Sequence, residues 1–327
     1  MRQIYLNKAI AEAVMIEMKR DEKVVLMGED IVNRGGGMST FLGVPQAFPD
    51  RSMDMPLAES GFTHFANGAA LAGYRPVVDL MFSDFSAITM DAIVNGAAKF
   101  RFNSLGKISM PITYVMANGG RGVYDGVGSG CNHSQCVESW YSNVPGLKIV
   151  APYYPVDILG LLRASIQDND PVIFLYPEAS IGLRGEIPDE DYVIPLNGAA
   201  KIMNEGSDVT LVAIQSMLPL AVKAVEELKK EGISVELIDP RVLIPFDEEK
   251  VINSVKKTGK LVIVHEGHKR AGYGSEIAAI MAEKCFESLK APVKRVGALN
   301  APIGSGYTEA YIMPHVEDIV KAVKEIA

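Results

Sequence analysis

Cysteine is scarce in this chain, and its three residues, Cys131, Cys136 and Cys285, are odd in number and form no CxxC pair. That excludes a disulfide scaffold as the source of stability and leads us to expect a reducing, cytosolic setting. A continuous run of about 18 apolar residues is also missing, so no helical membrane span is expected. Nor is there a Lys/Arg-rich run: 32 basic residues against 40 acidic ones leave a net charge of -8 and a pI near 5.3. A surface of that sign repels phosphate backbones and anionic lipid, which argues against nucleic-acid and membrane partners. The opening segment, MRQIYLNKAIAEAVMIEMKRDEK, scatters charge through an amphipathic helix and lacks the apolar core and cleavage site of a signal peptide.

What remains is the composition of an ordinary globular protein, 48% hydrophobic and 22% charged. At 327 residues it exceeds what one core usually organises, so two domains are expected. Apolar side chains at helical spacing over residues 5–20 precede the short apolar run VVLMGED, which reads as a buried strand ending in acid. The unit repeats: a helix over Gly61 to Gly73 before PVVDLMF, one over Ser86 to Phe102 before PITYVMA, and one over Val156 to Gln167 before PVIFLY. Helices and strands alternating in this way predict an α/β fold, a parallel sheet covered on both faces. Ser180 to Gly198, rich in Gly, Pro and acids without sustained period, reads as a linker. Beyond it, DVTLVAI, ISVELID, LVIVHEG and VKRVG alternate with helices over Leu218–Glu231, Glu248–Lys257 and Ser275–Leu289, which predicts a second, smaller parallel domain. The expected domains are therefore residues 1–190 and 200–327.

Several residues could carry chemistry. In MPLAESGF, Glu59 stands at the start of a helix among apolar neighbours. There, desolvation raises a carboxyl's pKa while the helix N-terminus lowers it, and position alone leaves a simple dipole-compensating acid as the competing reading. Six glycines between Gly119 and Gly130 permit close backbone approach to a ligand, yet match neither a phosphate loop nor a dinucleotide fingerprint, so a surface lid competes with a binding role. His133, just after that loop, can donate or accept a proton near neutrality or simply face solvent. His265 and His268 lack the spacing and further ligands of a metal motif. Ser60 and Ser134 lie outside any G-x-S-x-G elbow, which disfavours a hydrolase. The two predicted helices over residues 61–73 and 86–102 are rich in Gly and Ala, which suits close helix packing in a core or across a subunit contact.

Read together, MGED, PLAESGF, LMFSDFS, AAKFR, the glycine loop into HSQC, VPGLKIVAP, DNDPVIF and IDPRVLIPFD follow one order across essentially the whole chain. In this the sequence resembles the beta subunit of 2-oxo acid dehydrogenase first components, the pyruvate, branched-chain and acetoin dehydrogenases. The resemblance implies two parallel-sheet domains, an N-terminal thiamin diphosphate pyrimidine-binding domain and a C-terminal transketolase-like domain. It implies that Glu59 is the catalytic carboxylate that shares a proton with the cofactor's aminopyrimidine, and that His133 lies near bound substrate as a proton donor. Leu57 and Phe85 match residues that contact or pack on the pyrimidine, and Glu29 an acid close to the cofactor. Some members hold potassium, and the matching positions are Ile112, Ser165, Ile166, Asp168 and Asp170. The chain departs from the family where GSGCN stands before HSQ in place of the usual Ala-Gln.

One absence completes the picture. In this superfamily a GDG motif and a downstream Asn hold diphosphate and magnesium, whereas YDGVG at 124–128 lacks the first Gly and that Asn. The resemblance therefore implies an alpha subunit that holds the magnesium, an α2β2 heterotetramer, a lipoyl acyltransferase core, and a small 2-oxo acid or acetoin as substrate, with pyruvate favoured. Two alternatives stand beside it: the C-terminal half of a split transketolase-type enzyme, and a non-catalytic assembly subunit.

Overall fold

The structure, a computed structural model, describes residues 1–120 and 129–327; YDGVG and most of the glycine loop lie outside the described residues. Contacts divide the chain into two compact units, one of residues 1–118 and 140–196, the other of residues 119–139 and 197–327.

In the first unit the strands are β1 (Arg2–Tyr5), β2 (Val24–Gly28), β3 (Ser52–Asp54), β4 (Arg75–Phe82), β5 (Thr113–Asn118), β6 (Lys148–Val150), β7 (Val172–Pro177) and β8 (Arg184–Ile187). Six of them pair in the order β6-β7-β5-β4-β2-β3, every pairing parallel. Every residue of β2, β5 and β7 is buried, the pattern of strands covered on both faces. The chain runs from β2 to β3 at one side and then returns to β4 on the other side of β2. That reversal makes the carboxyl ends of β2 and β4 the topological switch point, where open α/β sheets place their ligands.

Helices Leu6–Arg20 and Pro155–Gln167 pack together over a buried ion pair. Arg163 Nε donates to Glu17 Oε1 at 2.8 Å, both side chains being at most 3% exposed. Gln167 Nε2 and Arg20 Nε add bonds to the same carboxylate at 2.9 and 2.7 Å, so its charge is compensated by several donors.

The expected helix over Ser86–Phe102 forms as three pieces: a 3₁₀ turn Ser83–Ala87, a π-helical stretch Asp91–Ala97 and an α-helix Ala98–Asn103. The cause is a side chain in the ladder. Asn67 Nδ2 donates to the Ala92 carbonyl at 2.7 Å, and a Cβ at Gly96 would lie 2.8 Å from that same nitrogen. Inserted groups of this kind are what open π-bulges. Tyr114 Oη donates to Asn67 Oδ1 at 2.6 Å, which locks the amide in place. The presumed linker also carries structure, since β8 pairs antiparallel with β1 from Arg2↔Ile187 to Tyr5↔Arg184.

The second unit holds β9 (Lys201–Asn204), β10 (Val209–Ala213), β11 (Val235–Asp239), a short β12 (Val242–Ile244), β13 (Leu261–His268) and β14 (Lys294–Ala298). Its sheet runs β14-β13-β10-β11-β9, with β10, β11, β13 and β14 paired in parallel. The edge strand β9 is antiparallel and was not expected, because its burial pattern gives it no continuous apolar run to mark it. Helices Leu218–Lys230, Glu248–Thr258 and Gly274–Lys284 fall close to the predicted positions, the last ending before Leu289. Asp247 caps the middle one by accepting the Lys250 N–H at 3.2 Å. Among the described residues no helix is long and apolar enough to cross a membrane.

Candidate active site

At the switch point, β2 ends in Gly28 and delivers Glu29 directly beyond it. Glu29 is 4% exposed, and neither carboxylate oxygen makes a hydrogen bond among the described residues. Burial, then the neighbouring charges of Glu59 and Asp30, push its pKa up to about 7. The fold thus brings Glu29 and Glu59 within electrostatic reach of each other.

Glu59 is half-buried at the first residue of the helix Glu59–Leu71, which Ala58 precedes without a side-chain cap. Thr63 Oγ1 donates back to its carbonyl at 2.6 Å and holds the first turn. The uncapped N-terminus offers the carboxylate a favourable partial charge, while Glu29 opposes it. Leu57, two residues earlier, is 84% exposed. An apolar side chain so placed is available to a ligand or a partner.

Strand β4 then supplies the apolar side. Its register with β5 shifts between Asp79 and Phe82, and Met81 takes a φ of +54°. Such a bulge re-aims the side chains that follow. Phe82 and Phe85 meet edge to face with centroids 5.6 Å apart, and Phe85 is half-buried in the 3₁₀ turn.

Asp79 is the residue that sequence reasoning passed over. It is 1% exposed, with Oδ1 accepting the Met81 N–H at 3.0 Å, and burial pushes its pKa up to about 7 despite that bond. Gly36, at φ +82°, brings backbone so close to the Asp79 carboxyl that a Cβ would collide with Oδ2. The available signal was an acid in the middle of the apolar strand PVVDLMF. Two buried carboxyls, Glu29 and Asp79, therefore lie within electrostatic reach of each other at the switch point, each pushed up to about 7 by burial.

Of the five positions matched to potassium ligands, four follow one another at the end of one helix. Ile112, just before β5, is 1% exposed; Ser165 and Ile166 end the helix Pro155–Gln167, and Asp168 and Asp170 follow. Carbonyl oxygens at a helix C-terminus, joined by two acids, are the donors that a hard cation takes. The same oxygens already have internal cations. Arg75 Nη1 donates to the carbonyls of Ile166 and Asp168 at 3.2 and 2.9 Å, Lys148 Nζ lies 2.6 Å from Asp168 Oδ2, and Arg101 Nη1 lies 2.9 Å from Asp170 Oδ1.

His133 belongs to the second unit, where it is half-buried and donates its backbone N–H to Gly130 at 3.0 Å. Nearby, Glu266 is 3% exposed and accepts the Gly120 N–H at 2.6 Å, with burial holding its pKa at about 7. His268 Nε2 meets the Ala301 carbonyl at 2.7 Å.

Comparison with known proteins decides the family. Residues 2–182 match the family described as the transketolase pyrimidine-binding domain, and residues 198–319 match the transketolase C-terminal domain. The beta subunit of the pyruvate dehydrogenase E1 component of Pisum sativum, a mitochondrial protein, is 41% identical over 99% of this chain and 90% of its own length. The chain belongs to the family of 2-oxo acid dehydrogenase E1 beta subunits. Two Bacillus subtilis members are each 38% identical over at least 98% of this chain and 97% of their own length. They are the beta subunits of an acetoin:2,6-dichlorophenolindophenol oxidoreductase and of 2-oxoisovalerate dehydrogenase. Among solved structures, a split-gene transketolase described as an inactive beta4 tetramer superposes with a TM-score of 0.80 at 22% identity, covering 99% of this chain and 98% of the other. At that identity the likeness concerns the fold. E1 beta subunits of this kind are thiamin diphosphate-dependent, and the Glu29–Glu59 crevice suits the group: a buried carboxyl without a hydrogen-bond donor among the described residues stands within electrostatic reach of a helix-start carboxylate, with an aromatic in the turn after β4.

Proposed function

We propose that the chain is the beta subunit of a heteromeric 2-oxo acid dehydrogenase that acts on pyruvate or acetoin, active only with an alpha subunit. The observation that carries the reading is Glu29, buried at the carboxyl end of β2 without a donor among the described residues, within electrostatic reach of Glu59 at its helix start. Bound thiamin diphosphate supplies a nucleophilic carbon for the 2-oxo centre and a sink for the electron pair released there.

The chain's own part is to hold and move protons. Glu59 faces the aminopyrimidine and carries the proton that a ring nitrogen needs. Glu29, pushed up by burial, is largely neutral below about pH 7 and adds little negative charge beside Glu59. Leu57 and Phe85 cover the ring and exclude water, which strengthens the hydrogen bond inside. His133 donates a proton to the substrate oxygen during decarboxylation or during acyl transfer to lipoyl.

Several further points belong to the same reading. The diphosphate and its magnesium rest on the alpha subunit, because the GDG motif is missing here. The assembly is an α2β2 heterotetramer docked on a lipoyl acyltransferase core. The compartment is the cytosol, in keeping with three cysteines that form no CxxC pair. Potassium binds through oxygens of Ile112, Ser165, Ile166, Asp168 and Asp170, beside the cations already there.

The test is co-purification with the alpha partner and thiamin diphosphate, then assay on pyruvate, 2-oxoisovalerate, 2-oxoglutarate and acetoin. Turnover of pyruvate or acetoin is expected. Failure on the whole panel by a properly assembled, cofactor-loaded enzyme would overturn the proposal.

A further inference from the structure

In the second unit, three side chains that the sequence keeps far apart converge outside the Glu29–Glu59 crevice. Cys136 and Glu138 lie on the segment beyond the glycine loop, and His265 lies near the end of β13. One ligand atom from each, the Cys136 Sγ, a Glu138 carboxylate oxygen and a His265 ring nitrogen, fall within 4.8 Å of one another. Glu138 is 1% exposed and His265 4%. Nε2 of His265 lies 3.4 Å from Glu138 Oε1.

The histidine supplies a second observation. Both of its ring nitrogens are buried, and neither makes a hydrogen bond among the described residues. A buried polar group in that state asks for a ligand or a water. Its Nδ1 edge is closed by backbone: a Cβ at Gly267 would meet the ring, and one at Gly272 would stand 3.5 Å from Nδ1. A void of about 10 Å³ lies on that side, lined by His265, Gly267 and Gly272, the room of about one water. The Nε2 edge faces Glu138.

We propose that Cys136, Glu138 and His265 bind a divalent cation of borderline softness, zinc being the best match, with water as fourth ligand. A thiolate, a carboxylate and an imidazole are the ligand types that tetrahedral zinc takes, at roughly 2.0–2.3 Å each, which sets them roughly 3–4 Å apart. The observed spacing needs only a modest closure. Magnesium and calcium prefer all-oxygen shells and are disfavoured here. Thiolate and carboxylate together offset the ion's two charges in a site with little water. Half-buried Cys136 leaves a route of entry. The occupied site ties the segment that carries His133 to β13. His268 takes no part, being engaged with Ala301.

The test uses the full chain, stripped with chelator and titrated with cobalt(II), then with zinc. One cobalt per chain is expected, with a thiolate-to-cobalt charge-transfer band that zinc abolishes by displacement. Cys136→Ser removes the band, and His265→Gln and Glu138→Gln weaken binding at least tenfold. Cys131→Ser and Cys285→Ser leave both unchanged. The proposal is overturned by a wild-type chain without the band, by a band that survives Cys136→Ser, or by folded His265→Gln protein of unaltered affinity. These last results would mean that Glu138 and His265 form only an ion pair. Should His265→Gln fail to fold, the nearly isosteric Cys136→Ser carries the test alone.

Discussion

Asp79→Asn should make the N-terminal unit less sensitive to alkali. Asp79 is 1% exposed and its pKa rises from 3.8 to about 7 on folding, chiefly through desolvation. A carboxyl with a raised native pKa binds more protons folded than unfolded, so its contribution to stability is complete below about pH 4 and is lost as pH rises through about 7. At about 1.4 kcal/mol per unit, the loss is about 4 kcal/mol in full, of which roughly 3 kcal/mol falls between pH 5 and pH 8. Asparagine keeps an oxygen for the Met81 N–H and does not ionise. Its amide adds a pH-independent cost of about 1–3 kcal/mol, because Asp79 Oδ2 has no hydrogen-bond partner among the described residues. The informative quantity is therefore the change in the mutant-minus-wild-type difference between the two pH values. Trp140 is the only tryptophan and belongs to the first unit, so urea unfolding followed by its fluorescence reads that unit. Parallel stability lines for the two proteins across pH 5 to 8 would refute the claim that Asp79 is held neutral by burial.

Other expectations follow from the same physics. Arg163→Met leaves buried Glu17 with Arg20 and Gln167 as its remaining donors and should cost about 2–4 kcal/mol by urea unfolding, against less than about 1 kcal/mol for exposed Lys284→Met. Gly119→Ala imposes a side chain at φ +84° and 2.6 Å from Glu266 Oε1, so we expect a loss of about 2 kcal/mol or more and reduced activity of the assembled enzyme. Replacing sodium by potassium at equal ionic strength should raise the melting temperature by a few degrees, since a tenfold excess over the dissociation constant stabilises by about 1.4 kcal/mol. An unchanged melting temperature would count against the cluster at Ile112, Ser165, Ile166, Asp168 and Asp170 as a potassium site.

The alternation of helix and strand was legible because parallel strands such as VVLMG and VIFLYP are continuously apolar and bounded by turns. The helix that begins at Glu59 was legible from its sequence, whereas periodicity alone left Glu59 an unremarkable first-turn acid. What stayed hidden depends on tertiary contacts. The π-helical stretch at Asp91–Ala97 exists because Asn67, from another helix, takes the Ala92 carbonyl. β1 and β8 form because distant edges pair, not because either segment has strong strand character. Asp79 is near neutral because of what folds over it. Cys136, Glu138 and His265 meet only once β13 is seated beside the segment after the glycine loop.

The central claim is that Glu59 works on the cofactor. Its most direct test is Glu59→Gln in the complex assembled with the alpha subunit and saturated with thiamin diphosphate, turnover being measured on the substrate the wild type prefers. Glutamine keeps the shape and hydrogen-bonding reach but cannot exchange the proton, so a drop of about 10²-fold or more is expected, with assembly unchanged. Turnover within twofold of wild type would contradict the account and favour a purely scaffolding role for the chain.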